Sequence, residues 1–172
     1  SNILKSAGAV LGKQTVINYV GYMMDSYMLF TLQNYAAKLV EKETSPKYYF
    51  MDTGLLGLML MDCSSAQLEN LVAIELIRRY GRENVFYFEK NVEIDFYVPE
   101  EKLAIQVSLQ VLDQIDTRER EIGAFVKLKN FIGDATCLLI TNSEEEELDY
   151  EGVHVSVVPV WKWLLQNRKQ DI

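Results

Sequence analysis

Glu93 and Asp95 stand two residues apart in one apolar run, and Gln106 and Ser108 stand two apart in the next. Period-two spacing predicts a strand over 93–98 with Glu93, Asp95 and Tyr97 on one face and Ile94, Phe96 and Val98 on the other. A second strand over 103–109 would put Gln106 and Ser108 on the face opposite Ile105 and Val107. The turn P-E-E-K at 99–102 makes the two strands neighbours. Acids on one strand facing polar side chains on the next is the layout of a divalent-metal nuclease site, in which carboxylates hold Mg²⁺ and the metal generates a nucleophilic water. Such a site takes an acid from a preceding helix, then Asp, then Glu-x-Lys on the adjacent strand. Glu69 and Asp95 fit the first two places and are the candidate metal ligands. Gln106 and Ser108 fall on the last two. An amide offers a carbonyl oxygen without charge, and a hydroxyl cannot replace an ammonium. The residues therefore predict a degenerate catalytic set, Glu69, Asp95, Gln106 and Ser108. Lys90 and Lys102 are the candidates for a substitute ammonium.

The elements around this pair are legible from periodicity. The clearest helix covers 64–80, with Ser65 as cap, Leu68, Leu71, Val72 and Leu76 apolar, and Gly81 as its end. Glu69 shares a face with Val72, Ala73 and Leu76, and a carboxylate there needs a partner or a metal. Glu75 lies about 600° of turn away, on another face, and suits an ordinary surface pair with Arg78 or Arg79. Strands follow at 84–89, 93–98 and 103–109. A charged amphipathic helix spans 117–131, a wholly apolar strand 135–141 and another strand 153–158. Residues 144–147 read as a solvated acidic loop. A last helix starts after Pro159. The order αβββαββα predicts an α/β fold, a mixed sheet flanked by helices, with the strands at 103–109 and 135–141 parallel neighbours.

The N-terminal third reads differently. A helical pattern over 3–25 is interrupted at Gly8 and Gly12, and short strand-like runs follow at 28–32, 36–41 and 47–51. Helices ahead of a small antiparallel sheet predict a winged helix-turn-helix over 1–62, with the larger domain over 63–172. Lys13, Gln14, Thr15 and Asn18 would be its DNA-reading side chains, although a packing role between domains suits a helix with one cation better. Two motifs are decoys. G-A-V-L-G-K-Q-T at 8–15 has three residues between its glycines, where a phosphate loop needs four, and Gln14 rather than Ser or Thr follows Lys13. Asp52-Thr53-Gly54 has no second copy to share a proton with, and Asp52 suits a helix cap at 53–61.

The bulk properties narrow the class. The 172 residues are 49% hydrophobic and 24% charged, with a formal net charge of −8. That balance disfavours strong non-specific binding to nucleic acid, where phosphate contacts dominate affinity. Cys63 and Cys137 make neither a disulfide framework nor a metal cluster. His154 stands alone. No apolar run reaches the length of a membrane span and no signal peptide is present, so a cytoplasmic protein is expected. The chain opens on Ser1 and reads as a piece of a longer protein.

The residues together carry a resemblance. L-E-N-L-V-A-I-E-L, F-Y-F-E-K-N-V-E-I-D-F-Y-V and L-A-I-Q-V-S resemble the C-terminal domain of unknown function in prokaryotic AAA-type ATPases, whose core is restriction-endonuclease-like (PD-(D/E)XK). T-V-I-N-Y-V-G-Y-M-M-D-S-Y-M-L-F and K-Y-Y-F-M-D-T-G-L-L resemble the winged-helix segment that joins that domain to the ATPase. The likeness spans about residues 3–160. It implies an ATPase module with its ATP site upstream on the same polypeptide. It implies no cofactor for the present residues other than Mg²⁺ if the site is active. DNA and a further copy of the chain are candidate partners, and a membrane is not. The departure from the family pattern is I-Q-V-S, where cleavage would need a carboxylate and a lysine.

Overall fold

The computed structural model describes residues 12–37, 46–59, 64–112 and 115–166. One eight-stranded mixed sheet runs through it in the order β2-β1-β3-β4-β5-β6-β8-β7. The strands are β1 (Leu29–Asn34), β2 (Lys47–Phe50), β3 (Phe86–Glu89), β4 (Glu93–Val98), β5 (Leu103–Val107), β6 (Thr136–Thr141), β7 (Glu146–Tyr150) and β8 (Val153–Pro159). The helices are α1 (Lys13–Asp25), α2 (Thr53–Met59), α3 (Ser64–Tyr80), α4 (Ile115–Ile132) and α5 (Val160–Leu165).

The protein is thus α/β, with helices on both faces of the sheet. Val72, Ala73 and Leu76 of α3 and Trp163 of α5 pack with Phe96, Val98, Ile105 and Ile140 on one side. Ile122, Phe125 and Leu128 of α4 pack with Ile94, Tyr97, Leu139 and Val155 on the other. β3, β4 and β5 are antiparallel neighbours. The α4 crossover then brings β6 in parallel beside β5, the neighbour relation expected from the sequence. Among the described residues no helix is long and apolar enough to cross a membrane.

Several expectations meet a different outcome. The strands expected as a wing continue the main sheet: β1 and β2 pair antiparallel, and β1 runs parallel to β3 through Gln33↔Phe86 and Asn34↔Tyr87. A single sheet therefore crosses the boundary expected between residues 62 and 63. Of the strand expected at 36–41, Ala36 and Ala37 lie in a turn and bend, and the rest is outside the described residues. The same is true of the helical stretch before residue 12 and of Cys63. Of residues 144–147, the last three are exposed as expected, but Glu146 and Glu147 belong to β7 and Glu144 is half-buried. Glu144 accepts from the Val111 and Leu112 N–H groups at 2.6 and 3.1 Å, tying the segment after β5 to the end of β6. β7 follows at once. Its hairpin to β8 turns through Glu151 and Gly152 at φ 48° and 76°, the positive pair that a tight two-residue hairpin turn requires.

Glu75 is buried rather than a surface partner. Its carboxylate accepts from both Arg78 and Arg79, and Arg79 lies 4.1 Å from the Trp163 ring while donating to the Trp163 carbonyl. The hydrogen bond from Arg78, followed by that from Arg79, holds the Glu75 pKa below its ordinary value against the effect of burial. A carboxyl lowered by folding contributes stability above its unfolded pKa, and that contribution is lost as the pH falls through the folded value. Glu75→Ala is expected to cost about 2 kcal/mol at pH 7, since charge-assisted hydrogen bonds are at stake. The cost should shrink toward pH 3 in denaturant melts, and a pH-independent cost would refute the assignment.

Candidate functional site

The site forms where β4 and β5 separate. Their ladder runs Val98↔Leu103, Tyr97↔Ala104 and Phe96↔Ile105 and goes no further. β5 instead stays with β6, through Gln106↔Leu139, Val107↔Ile140 and the Ser108 N–H to the Ile140 carbonyl. The parted strands are joined by side chains. Gln106 Oε1 accepts from the Asp95 N–H at 2.9 Å, and Gln106 Nε2 donates to the Glu93 carbonyl at 3.2 Å. Asp95 Oδ2 accepts from the Val107 N–H at 2.9 Å. Each strand thus lends a side chain to the backbone of the other, which pairs peptide groups that the parted ladder leaves open.

A β-bulge aims the acids. β3 and β4 pair as Phe86↔Tyr97 but Phe88↔Ile94, so Tyr87 faces both Asp95 and Phe96. The extra residue breaks the expected alternation. Phe96 and Val98 lie on the α3 side, and Ile94 joins Tyr97 on the α4 side. Glu93, Asp95 and Tyr97 therefore do not share one face.

Two side chains that sequence reasoning passed over complete the site. Lys47 Nζ lies 2.6 Å from Glu93 Oε1 and 3.8 Å from Asp95 Oδ1. Tyr49 donates its hydroxyl to Glu69 Oε1 at 2.8 Å. Both come from β2. In a flat sheet β2 would stand about 14 Å from β4, three strand spacings away. Yet the Tyr49 and Phe96 rings are 5.7 Å apart. The sheet curls sharply, which the two-residue contact of β1 with β3 permits, and folds β2 back over the α3 side. The only local signal is the alternation of Lys47, Tyr48 and Tyr49, which marks a shared face but not its distant neighbour.

The cleft has a volume of about 410 Å³ and is lined by Glu69, Glu93, Asp95 and Gln106, with Arg120, Glu121 and Lys127 of α4 opposite. Burial, reinforced by the Glu69 carboxylate, raises the Asp95 pKa to about 7, against the pull of Lys47 and the Val107 N–H. Burial works against the Lys47 charge, but the hydrogen bond with Glu93 and the charges of Asp95 and Glu69 outweigh it and place its pKa above the ordinary lysine value. Burial and the neighbouring Glu69 keep the Tyr49 hydroxyl well above its usual pKa, so it remains a donor.

Of the residues expected to act together, the fold brings Glu69, Asp95 and Gln106 to the cleft. Ser108 lies just past β5, with its hydroxyl turned to the Gln110 carbonyl. Lys90 sits over the Phe131 ring, 5.5 Å from its centre, and Lys102 is in the turn at the far end of β4. Neither lines the cleft; Lys127 does, from α4, and Lys47 reaches Glu93 and Asp95 from β2. Lys13, Gln14, Thr15 and Asn18 are on α1, all exposed except the half-buried Thr15, and Gln14 donates to Asn18. Asp52 caps α2, its carboxylate accepting from the Gly54 N–H. His154 lies outside the cleft, on β8 between Asp149 and Glu147.

With Lys47 in place, several oxygens that a divalent cation would draw on are already engaged. The Gln106 carbonyl is taken by a backbone N–H, one oxygen of Asp95 by another, and one of Glu69 by Tyr49. The Lys47 ammonium pairs with Glu93 and lies 3.8 Å from Asp95. Among the described residues no three His, Cys, Asp or Glu side chains are placed to hold a metal ion.

Comparison with known proteins gives relatives but no activity. Residues 1–67 match a family model described as a domain of unknown function (DUF8612). The chain is similar to the uncharacterized protein MJ1544 of Methanocaldococcus jannaschii, with 32% identity over 175 residues that cover 96% of this chain. The chain spans 39% of that relative's length. No solved structure matches.

Proposed function

We propose that this chain is the C-terminal regulatory, partner-binding module of a cytoplasmic ATPase, built on a restriction-endonuclease-like core that does not cleave nucleic acid. The order α3-β3-β4-β5-α4-β6, with β5 and β6 parallel, agrees with the arrangement the resemblance implies. The resemblance assigns that core's chemistry to Glu69 on the helix, Asp95 on the second strand and Gln106 on the third, and the three line one cleft. The match to a relative of which this chain covers 39% is compatible with a further module on the same polypeptide.

The carrying observation is the use of Gln106. Its carbonyl and its amide nitrogen both bond the β4 backbone, and the nitrogen donates to a carbonyl that a carboxylate could not serve. The residue at this position acts as a strand link. A protein rather than a DNA partner is favoured by α1, none of whose residues is buried, and which presents Ile17, Tyr19 and Tyr22 to solvent at 51%, 56% and 64%. Lone helices of this length are marginal in water, so packing is the expected source of their stability. The net charge of −8 points the same way.

The chain is expected to leave duplex and single-stranded DNA intact in Mg²⁺ or Mn²⁺. Metal-dependent cleavage that disappears in Asp95→Ala would overturn the proposal in favour of a variant nuclease. A salt-dependent duplex affinity that is lost on replacing Lys13 and Gln14 would favour the winged-helix DNA-binding alternative instead. The full-length parent protein should hydrolyse ATP, and its failure to do so would remove the ATPase from the assignment.

A further inference from the structure

We infer that Lys47 is a built-in counter-ion: its ammonium sits beside Glu93 and within reach of Asp95, and with Tyr49 it makes β2 a strap across carboxylates that would otherwise be open to a divalent cation. The inference rests on reading the cleft as a nuclease-like site, and concerns what keeps that site closed to metal.

The geometry is specific. Lys47 Nζ bonds Glu93 Oε1 at 2.6 Å and lies 3.8 Å from Asp95 Oδ1. It also stands 5.3 Å from the centre of the Tyr87 ring, whose π-face favours a cation. Two residues on, and so on the same face of β2, Tyr49 bonds Glu69 at 2.8 Å. One four-residue strand thereby serves carboxylates drawn from both β4 and α3. The Lys47 side chain is 25% exposed and that of Asp95 18%, so this attraction is only partly screened by water.

A tethered ammonium has two advantages over a metal ion. It is present at high effective concentration, because the fold has already brought it to the cleft. It also loses less hydration than Mg²⁺, which dehydrates reluctantly and demands near-octahedral oxygen ligands. Lys47 further explains the failure of the acids to converge. The Glu93 carboxylate is drawn to the ammonium, and its side chain is 58% exposed, so it is free to turn once that partner is removed.

The test is Mn²⁺ titration of the chain, followed through the electron paramagnetic resonance signal of free Mn²⁺. The unaltered chain is expected to show no saturable site at millimolar metal. Lys47→Met and Lys47→Gln, which remove the charge in two different shapes, should each gain a single saturable site bound at least about tenfold more tightly, the effect of deleting one unit charge beside a carboxylate. Lys47→Arg keeps the charge and should remain without the site. Adding Asp95→Asn to either uncharged variant should abolish it. The inference is overturned if both uncharged variants, shown to be folded by circular dichroism, bind Mn²⁺ no more tightly than the unaltered chain. It is also overturned if the unaltered chain already holds Mn²⁺ at Asp95.

A parallel cleavage assay separates the two levels of the argument. No cleavage by the unaltered chain together with no gain of Mn²⁺ binding refutes the counter-ion alone. DNA cleavage by the unaltered chain that is lost in Lys47→Met makes Lys47 a catalytic ammonium and refutes both.

Discussion

Asn34→Ala is expected to lower stability by about 3–5 kcal/mol, because three backbone groups lose a buried partner at once. Asn34 is 8% exposed and sits at the end of β1. Its amide nitrogen donates to the Glu89 carbonyl at 2.8 Å, and its carbonyl accepts from the N–H groups of Glu89 and Ala36 at 3.0 Å each. The ladder of β1 with β3 is two pairs long, Gln33↔Phe86 and Asn34↔Tyr87, with the Tyr35 N–H donating to the Tyr87 carbonyl just beyond it. The Asn34 side chain therefore extends a short junction by acting as a further stretch of strand. Alanine would leave the Glu89 N–H and C=O without this partner at the point where the curled β1–β2 hairpin joins the sheet. For a chain of this length the loss corresponds to a fall in Tm of about 10 °C. Because the junction also brings Lys47 and Tyr49 to the cleft, the Lys47–Glu93 contact should loosen at the same time. A variant that melts within 2 °C of the unaltered chain, by the same scaling, would show that the backbone pairing of β1 with β3 suffices.

Asp95 carries the second large effect, and its sign is opposite. An acid whose folded pKa is about 7 against an ordinary 3.8 binds its proton more tightly in the folded state than in the unfolded state. Folding is therefore penalised wherever the unfolded carboxyl is ionised. The penalty is absent below the unfolded pKa, grows between about pH 4 and pH 7, and is complete above the folded pKa. Three pKa units correspond to about 4 kcal/mol. Asp95→Asn keeps an oxygen for the Val107 N–H and removes the charge that burial and Glu69 disfavour. The Lys47 attraction is already contained in that raised pKa, but an amide accepts the Val107 N–H more weakly than a carboxylate, so the net gain at pH 8 is expected to be about 2 kcal/mol, a rise in Tm of roughly 5 °C. Near pH 4 the variant and the parent should melt together. Equal or lower stability of Asp95→Asn at pH 8 would refute the raised pKa and show that the Lys47 pair outweighs the burial of the carboxylate. A stabilising change at the centre of a cleft is what a site kept for a purpose other than stability should show.

Much of the architecture follows from local pattern. The 3.6-residue period of α3 and α4 and the two-residue period of β4 and β5 are written in side chains a few positions apart. So is the long crossover that makes β5 and β6 parallel. β7 was missed. Its alternation, followed by Glu151-Gly152, is a hairpin signal that the run of acids obscured. The acidic pair on β4, the acid on α3 and the amide on β5 could likewise be singled out from residue type and spacing alone.

What Gln106, Lys47 and Asp95 do with those positions could be decided only in three dimensions. One bulged residue at Asp95–Phe96 turns Ile94 and Phe96 to opposite sides, and no rule of alternation anticipates where a ladder will slip. The fork of β4 and β5 arises because β5 keeps its pairing with β6, a strand about 30 residues further along the chain. Only then does the Gln106 amide become a backbone partner and cease to be a candidate ligand. Lys47 is 48 positions from Asp95, and its ammonium reaches the cleft through the curl of a sheet edge held by two residue pairs. Residue types and their period determine which groups can face one another within an element. Charge pairing across the cleft depends on strand order, register and curvature, which are set by the packing of the whole sheet between α3 and α4.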